Sequence, residues 1–169
     1  MGAHHSYAVT VRWPTETVEA SSPVAATTSY TAYTRDHDVV VPGRPVLPGS
    51  ADPAFRGDPQ RFGPEDLFVA SLSQCHMLWF LHLAAESGLV VREYRDEATG
   101  SMRVEARGEG QFTDVTLHPR IVVDASEVAT DEHVEELHRR AHSLCFLARS
   151  VNFRILVEPA PIHLADPVG

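Results

Sequence analysis

The stretch PEDLFVASLSQCHMLWFLHLAA runs from Pro64 to Ala85 and reads as one helix. Pro64 suits a first-turn position, where its missing N–H has no helical partner to lose, and Glu65 and Asp66 follow at the positive end of the helix dipole. No glycine or proline interrupts the run until Gly88, which reads as the C-terminal cap after Ser87. About 22 residues at ~1.5 Å each give a rod of roughly 33 Å. Leu67, Phe68, Val69, Leu72, Met77, Leu78, Trp79, Phe80, Leu81 and Leu83 go nearly all the way round it. A helix apolar on every face is expected to be buried on every face. A chain of 169 residues has little other material to wrap it, so a second subunit is expected to supply part of the cover. The length also fits a membrane span; Gln74, His76 and His82 in the middle and the acidic start argue against one.

Cys75 sits mid-helix, and the only other cysteine, Cys145, lies in RRAHSLCFLARS, a second helical stretch. Two cysteines in the two most helix-like segments point to a pair that meets in space. The formal net charge of −9 argues against nucleic acid, whose phosphates need a basic surface. The opening residues lack a basic segment followed by an apolar core, so no export signal is expected and the setting is read as reducing cytoplasm. There a cysteine pair is expected to be catalytic or unpaired rather than a structural disulfide.

Outward from the helix, residues 4–13 (HHSYAVTVRW) alternate and read as a strand stopped by Pro14. Residues 30–35 and 38–41 read as two more. The segment 42–63, PGRPVLPGSADPAFRGDPQRFG, carries no periodicity and reads as an ordered loop, with Phe55 and Phe62 packing it down. Beyond the helix, strands are expected over 89–97, 101–107 and 111–124. Thr130 or Ser126 caps a helix from about Asp131 towards Cys145, with Val134, Leu137, His138, Ala141 and Leu144 on one face. Residues 152–158 close the sheet structure and 159–169 are a tail. The order is read as β-β-β-α-β-β-α-β, an α+β fold in a single domain over residues 1–169.

The run PEDLFVASLSQC resembles the signature of the OsmC/Ohr family, the osmotically inducible protein C and organic hydroperoxide resistance proteins. Pro64, Glu65, Leu67, Phe68, Ala70 and Cys75 fill the places of its Pro-Glu-to-cysteine motif. AHSLC resembles the family's second site, although Phe146 stands where many members have proline. YTRDHDV resembles the arginine-bearing hairpin, with Arg35 in the arginine's place; Arg44 and Arg56, in the loop before the helix, are competitors for that role. The resemblance covers roughly Tyr7 to Glu158. It implies an OsmC-like fold with a long buried central helix in an intertwined homodimer. It also implies a thiol-dependent peroxidase acting on organic hydroperoxides, regenerated by an external dithiol or a dithiol-bearing protein, with no cofactor, metal, nucleic acid or membrane.

Under that reading the site is Cys75, Cys145, Arg35 and Glu65. A thiolate, not a thiol, cleaves the O–O bond. Burial alone disfavours a thiolate, so Arg35 is expected to hold the charge and orient a peroxide oxygen, with Glu65 as its partner. Cys75 becomes a sulfenic acid and Cys145 condenses with it to a disulfide. Glu65 and Cys75 are about 15 Å apart along one straight helix, so either the residues before Leu67 leave the helix or Glu65 serves the other subunit. His142, three residues before Cys145, either tunes that thiol or packs. His76 and His82, six apart, cannot share a helix face as a metal pair. The alternative is a non-catalytic OsmC-like dimer that binds a ligand or is structural.

Overall fold

The computed structural model describes residues 4–19 and 21–165. The chain falls into two compact units, Met1–Leu67 and Phe68–Gly169. The first is built on an antiparallel sheet of β1 (Thr10–Arg12), β2 (His37–Val40) and β3 (Leu47–Gly49), in that order. Asp38, opposite Arg12 in the register, accepts hydrogen bonds from its guanidinium and from the Glu16 N–H. Only three residues of the expected 4–13 strand pair. The expected strand over 30–35 is absent: Arg35 folds back to donate to the carbonyl oxygens of Tyr30 and Tyr33, and Ala32 N–H bonds Ser29, so the segment turns.

The proline-rich segment is ordered by hydrogen bonds rather than by its aromatic residues. It contains β3 and a 3-10 turn, Pro53–Phe55, capped by Asp52. Ser50, fully buried, donates to Asp36 and accepts from the Asp58 N–H. Phe55 and Phe62 stay 42% and 50% exposed, against the expectation that they pack the loop down.

Helix α1 (Pro64–Ser87) follows the sequence reading closely. Gly88 adopts φ +77°, and the N–H groups of Leu89 and Gly88 close on the carbonyls of Ala84 and Ala85. That pattern is a Schellman cap, and it requires the left-handed residue that glycine supplies without a Cβ clash. The second unit holds two three-stranded sheets. One orders β4 (Val91–Asp96), β7 (Pro119–Val123) and β9 (His163–Leu164); the other orders β5 (Thr99–Val104), β6 (Gly110–Leu117) and β8 (Arg154–Val157). Four strands thus lie between the helices, where three segments were read as strands and the written order counted two, and the tail contributes β9. The single strand expected over 111–124 is two strands in different sheets. The break falls at His118 and Pro119, where proline has no N–H for a ladder and the His118 N–H turns to Asp96.

From Phe68 onward α1 lies across both sheets. Phe68, Val69 and Leu72 pack with Val115, Leu117, Phe112 and Phe153 of the β5–β6–β8 layer. The approach is close enough that a Cβ on Gly100 would sit 2.7 Å from Val69. Further on, Phe80, Leu83 and Ala84 pack with Ile121 and Val123 and with Val134, Leu137 and Ala141 of α2 (Asp131–Leu144). Thr130 caps α2 by accepting from the His133 N–H. Burial on every face of α1 does not occur within one chain. Leu72, His76, Phe80, Leu83 and Ala84 form one buried stripe, while Leu78 is 60% exposed and Met77, Trp79 and Leu81 are half-buried.

Candidate functional site

Cys75 sits on α1 where the helix passes from one core cluster to the other, between buried Leu72 and Phe80. Cys145 is the residue that ends α2: its N–H still bonds Ala141, but its ψ of 113° takes the chain out of the helix. The two helices therefore bring the thiols together. Both are free, and they lie close enough for Cys75 to act on the Cys145 thiol. Their environments differ. Cys75 is half-buried and Cys145 is 1% exposed. Burial pushes the Cys145 thiol up to about 11, and Cys75 acts in the same direction. The N–H groups of Ala148 and Leu147 pull the other way, the former at 3.4 Å from Sγ. At neutral pH Cys145 keeps its proton.

Next to the thiols is a feature the sequence reading did not find. His76 and His138 are buried, with Nε2 of the first 3.0 Å from Nδ1 of the second and the rings nearly parallel. Phe80 also stacks on His138, at 4.2 Å between centroids. Desolvation pushes His76 down to about 4 and His138 down to about 3; the charge of a protonated His142 adds to the first shift and that of a protonated His76 to the second. His142 is close enough to act on His76 electrostatically, and its Nδ1 is buried without a partner, as is Nδ1 of His76. His76 lies four residues from Leu72 and from Phe80, on the buried stripe, a position where periodicity alone reads as core. Among the described residues no group of three or more histidine, cysteine or acidic side chains could hold a metal ion.

Arg35 and Glu65 belong to the first unit. The guanidinium of Arg35 donates to the Tyr33 and Tyr30 carbonyls at 2.7 Å each and lies over both tyrosine rings, 3.8 Å from the Tyr33 centroid. It lines a shallow cavity of about 320 Å³ with Trp13, His37 and Pro64. Glu65 stands in the first turn of α1, its Oε2 buried without a partner. Among the described residues of one chain no ion pair joins Arg35 to Glu65, and the arginine fork is engaged by the tyrosine carbonyls. Nor do Arg44 or Arg56 form an ion pair among the described residues. Arg61, not weighed from the sequence, pairs with Asp36 at 3.5 Å and Asp58 at 3.6 Å.

The profile of the OsmC-like protein family matches residues 57–159. An OsmC-like protein of unknown function from Vibrio cholerae is 31% identical and superposes with a TM-score of 0.80, covering 93% of this chain and 100% of its own. An organic hydroperoxide resistance protein from Elizabethkingia anophelis, solved with thiocyanate bound, shares the fold at 16% identity and a TM-score of 0.66, over 98% of this chain and 100% of its own. The same holds for an organic hydroperoxide resistance protein from Legionella pneumophila, at 14% identity and 0.64, over 98% of this chain and 100% of its own. A comparison with curated proteins found no match. With the α+β layout, the two-cysteine arrangement and the profile over most of its length, the chain belongs to the OsmC-like protein family.

Proposed function

We propose that the chain is a thiol-dependent peroxidase for organic hydroperoxides, with Cys75 as the attacking thiol and Cys145 as the resolving one. The observation that carries this reading is the nearness of two free thiols of unequal exposure, one on α1 and one at the end of α2. The half-buried sulfur is the one a peroxide can reach. The buried one keeps its proton at neutral pH, which makes it a poor first nucleophile and a hydrogen-bond donor to a Cys75 thiolate. Relatives in fold that are named for organic hydroperoxide resistance add support.

In this mechanism the Cys75 thiolate attacks one peroxide oxygen, the O–O bond breaks, and the alkoxide takes a proton and leaves as an alcohol. Cys75 is then a sulfenic acid. Cys145 loses its proton and attacks that sulfur; the hydroxyl leaves as water and the disulfide forms. Two electrons from an external dithiol, small or protein-borne, restore both thiols. A reducing cytoplasm supplies such a donor. Arg35 and Glu65 are assigned by family resemblance: the guanidinium contributes positive charge and a fork for a peroxide oxygen, and Glu65 steadies it in the working assembly. That assembly is proposed to be a homodimer covering the apolar side of α1 left exposed in one chain.

The test is the pair of single variants. Cys75→Ser is expected to abolish peroxide consumption. Cys145→Ser is expected to consume about one equivalent and stall, leaving a sulfenic acid that a dimedone-type probe traps. The reverse pattern would refute the assignment of roles.

A further inference from the structure

A cleft of about 480 Å³ lies between α2 and β8. Glu135, His138, Arg139 and His142 line it from α2, spaced so that they share one helix face. Ile155 and Val157 of β8 line it from the sheet. Its size is in the range of small-molecule sites, and its wall is divided between the polar face of α2 and the apolar residues of β8 and Pro159. Its polar groups are not closed off by one another. Nδ1 of His142 is buried without a partner. His138 is 3% exposed and uses Nδ1 on His76, which leaves Nε2 for the cleft.

The charges select the ligand. Arg139 is engaged through Nε and Nη2 by Glu136, which offsets its attraction for an anion. Glu135 opposes an anion directly, while Arg139 beside it opposes a cation. His138 is held neutral by burial and by His76. With Nδ1 on His76, His138 has one ring nitrogen left, which donates or accepts, and His142 Nδ1 is a second; the two together suit a group that both donates and accepts.

We propose that the α2–β8 cleft binds an uncharged, mainly apolar molecule through one hydroxyl-type group, held by the imidazoles of His138 and His142 with its body against Ile155 and Val157. The site does not depend on the thiol chemistry. It touches that chemistry through His138, which stacks on His76, the neighbour of Cys75, and through His142, which acts on His76 electrostatically.

Benzyl alcohol, inert towards thiols, is a suitable probe, with benzoate and benzylammonium as charged analogues of the same skeleton. Titrated into the full chain at neutral pH and followed by NMR, the alcohol is expected to give saturable shifts at the His138 and His142 imidazoles and at the Ile155 and Val157 methyls. The two charged analogues are expected to bind more weakly. His142→Phe is expected to weaken the alcohol by about three- to tenfold, the loss of one neutral hydrogen bond, while His142→Gln holds it within about twofold. Absence of saturable shifts at these four residues in the unaltered chain, or a charged analogue binding as tightly as the alcohol, would overturn the proposal. So would equal affinity in the His142→Phe variant. Because the unaltered chain carries the first comparison, a variant that fails to fold does not remove the test.

Discussion

The buried histidine pair makes the fold sensitive to mild acid, and the size of the effect follows from its surroundings. In the unfolded chain each imidazole takes a proton near its ordinary value of 6.5; in the fold His76 resists until about 4 and His138 until about 3. Both folded values are depressed, so the stability tied to neutral rings is complete above about pH 7 and is lost as pH falls from 6.5 towards those lower values. A tenfold difference in proton affinity is worth about 1.4 kcal/mol. Between pH 7 and pH 5 His76 alone therefore withdraws about 2 kcal/mol, and the coupled pair about 2–4 kcal/mol. For a domain of ordinary stability that is a large share of the total. The assay is urea unfolding followed by far-UV circular dichroism at pH 7 and pH 5, at one protein concentration, on the unaltered chain and on the double variant His76→Leu/His138→Leu. Exposed titrating groups are common to both proteins, so the difference between their pH dependences isolates the pair. The unaltered chain is expected to lose at least about 2 kcal/mol more than the double variant. Equal losses, within about 0.5 kcal/mol, would refute the reasoning.

Arg35→Ala is expected to slow peroxide reduction at neutral pH, with part of the loss recovered as pH rises and a thiolate forms without the guanidinium; Arg35→Lys falls between, because it keeps the charge and loses the fork. No change in rate for Arg35→Ala, with a loss for Arg44→Ala or Arg56→Ala, would move the charge to the proline-rich loop. Sedimentation at micromolar concentration is expected to show a dimer, since Leu78 at 60% and Phe146 at 67% exposure leave large apolar surface uncovered in one chain. An interface of the obligate class, above ~2,000 Å² in total, is expected, and a stable monomer would contradict it.

The helices were legible because their ends are chemical. Pro64 and the acids after it open α1, Gly88 closes it in the left-handed region, and Thr130 caps α2 with a hydrogen bond. The strands were harder, since pairing depends on partners distant in sequence. Residues 30–35 have strand composition, yet the long reach of Arg35 to its own chain makes a turn. Pro119 marks the break in the run over 111–124, and the decisive element is Asp96, distant in sequence, which takes the His118 N–H. Cys75 and Cys145 stood out by scarcity and by their place in two helices. The His76–His138 contact joins positions 62 apart, and nothing local marks it. His138 had been placed on the inward face of α2 by spacing, but an inward histidine is read as packing until its partner is seen.

The claim on which the rest depends is that the two thiols act together on a peroxide. Thiols are counted in the fully reduced chain before and after one equivalent of an alkyl hydroperoxide. The account predicts the loss of two thiols per chain and the appearance of a Cys75–Cys145 disulfide on peptide mapping. Retention of both thiols, with the hydroperoxide unconsumed, would contradict it.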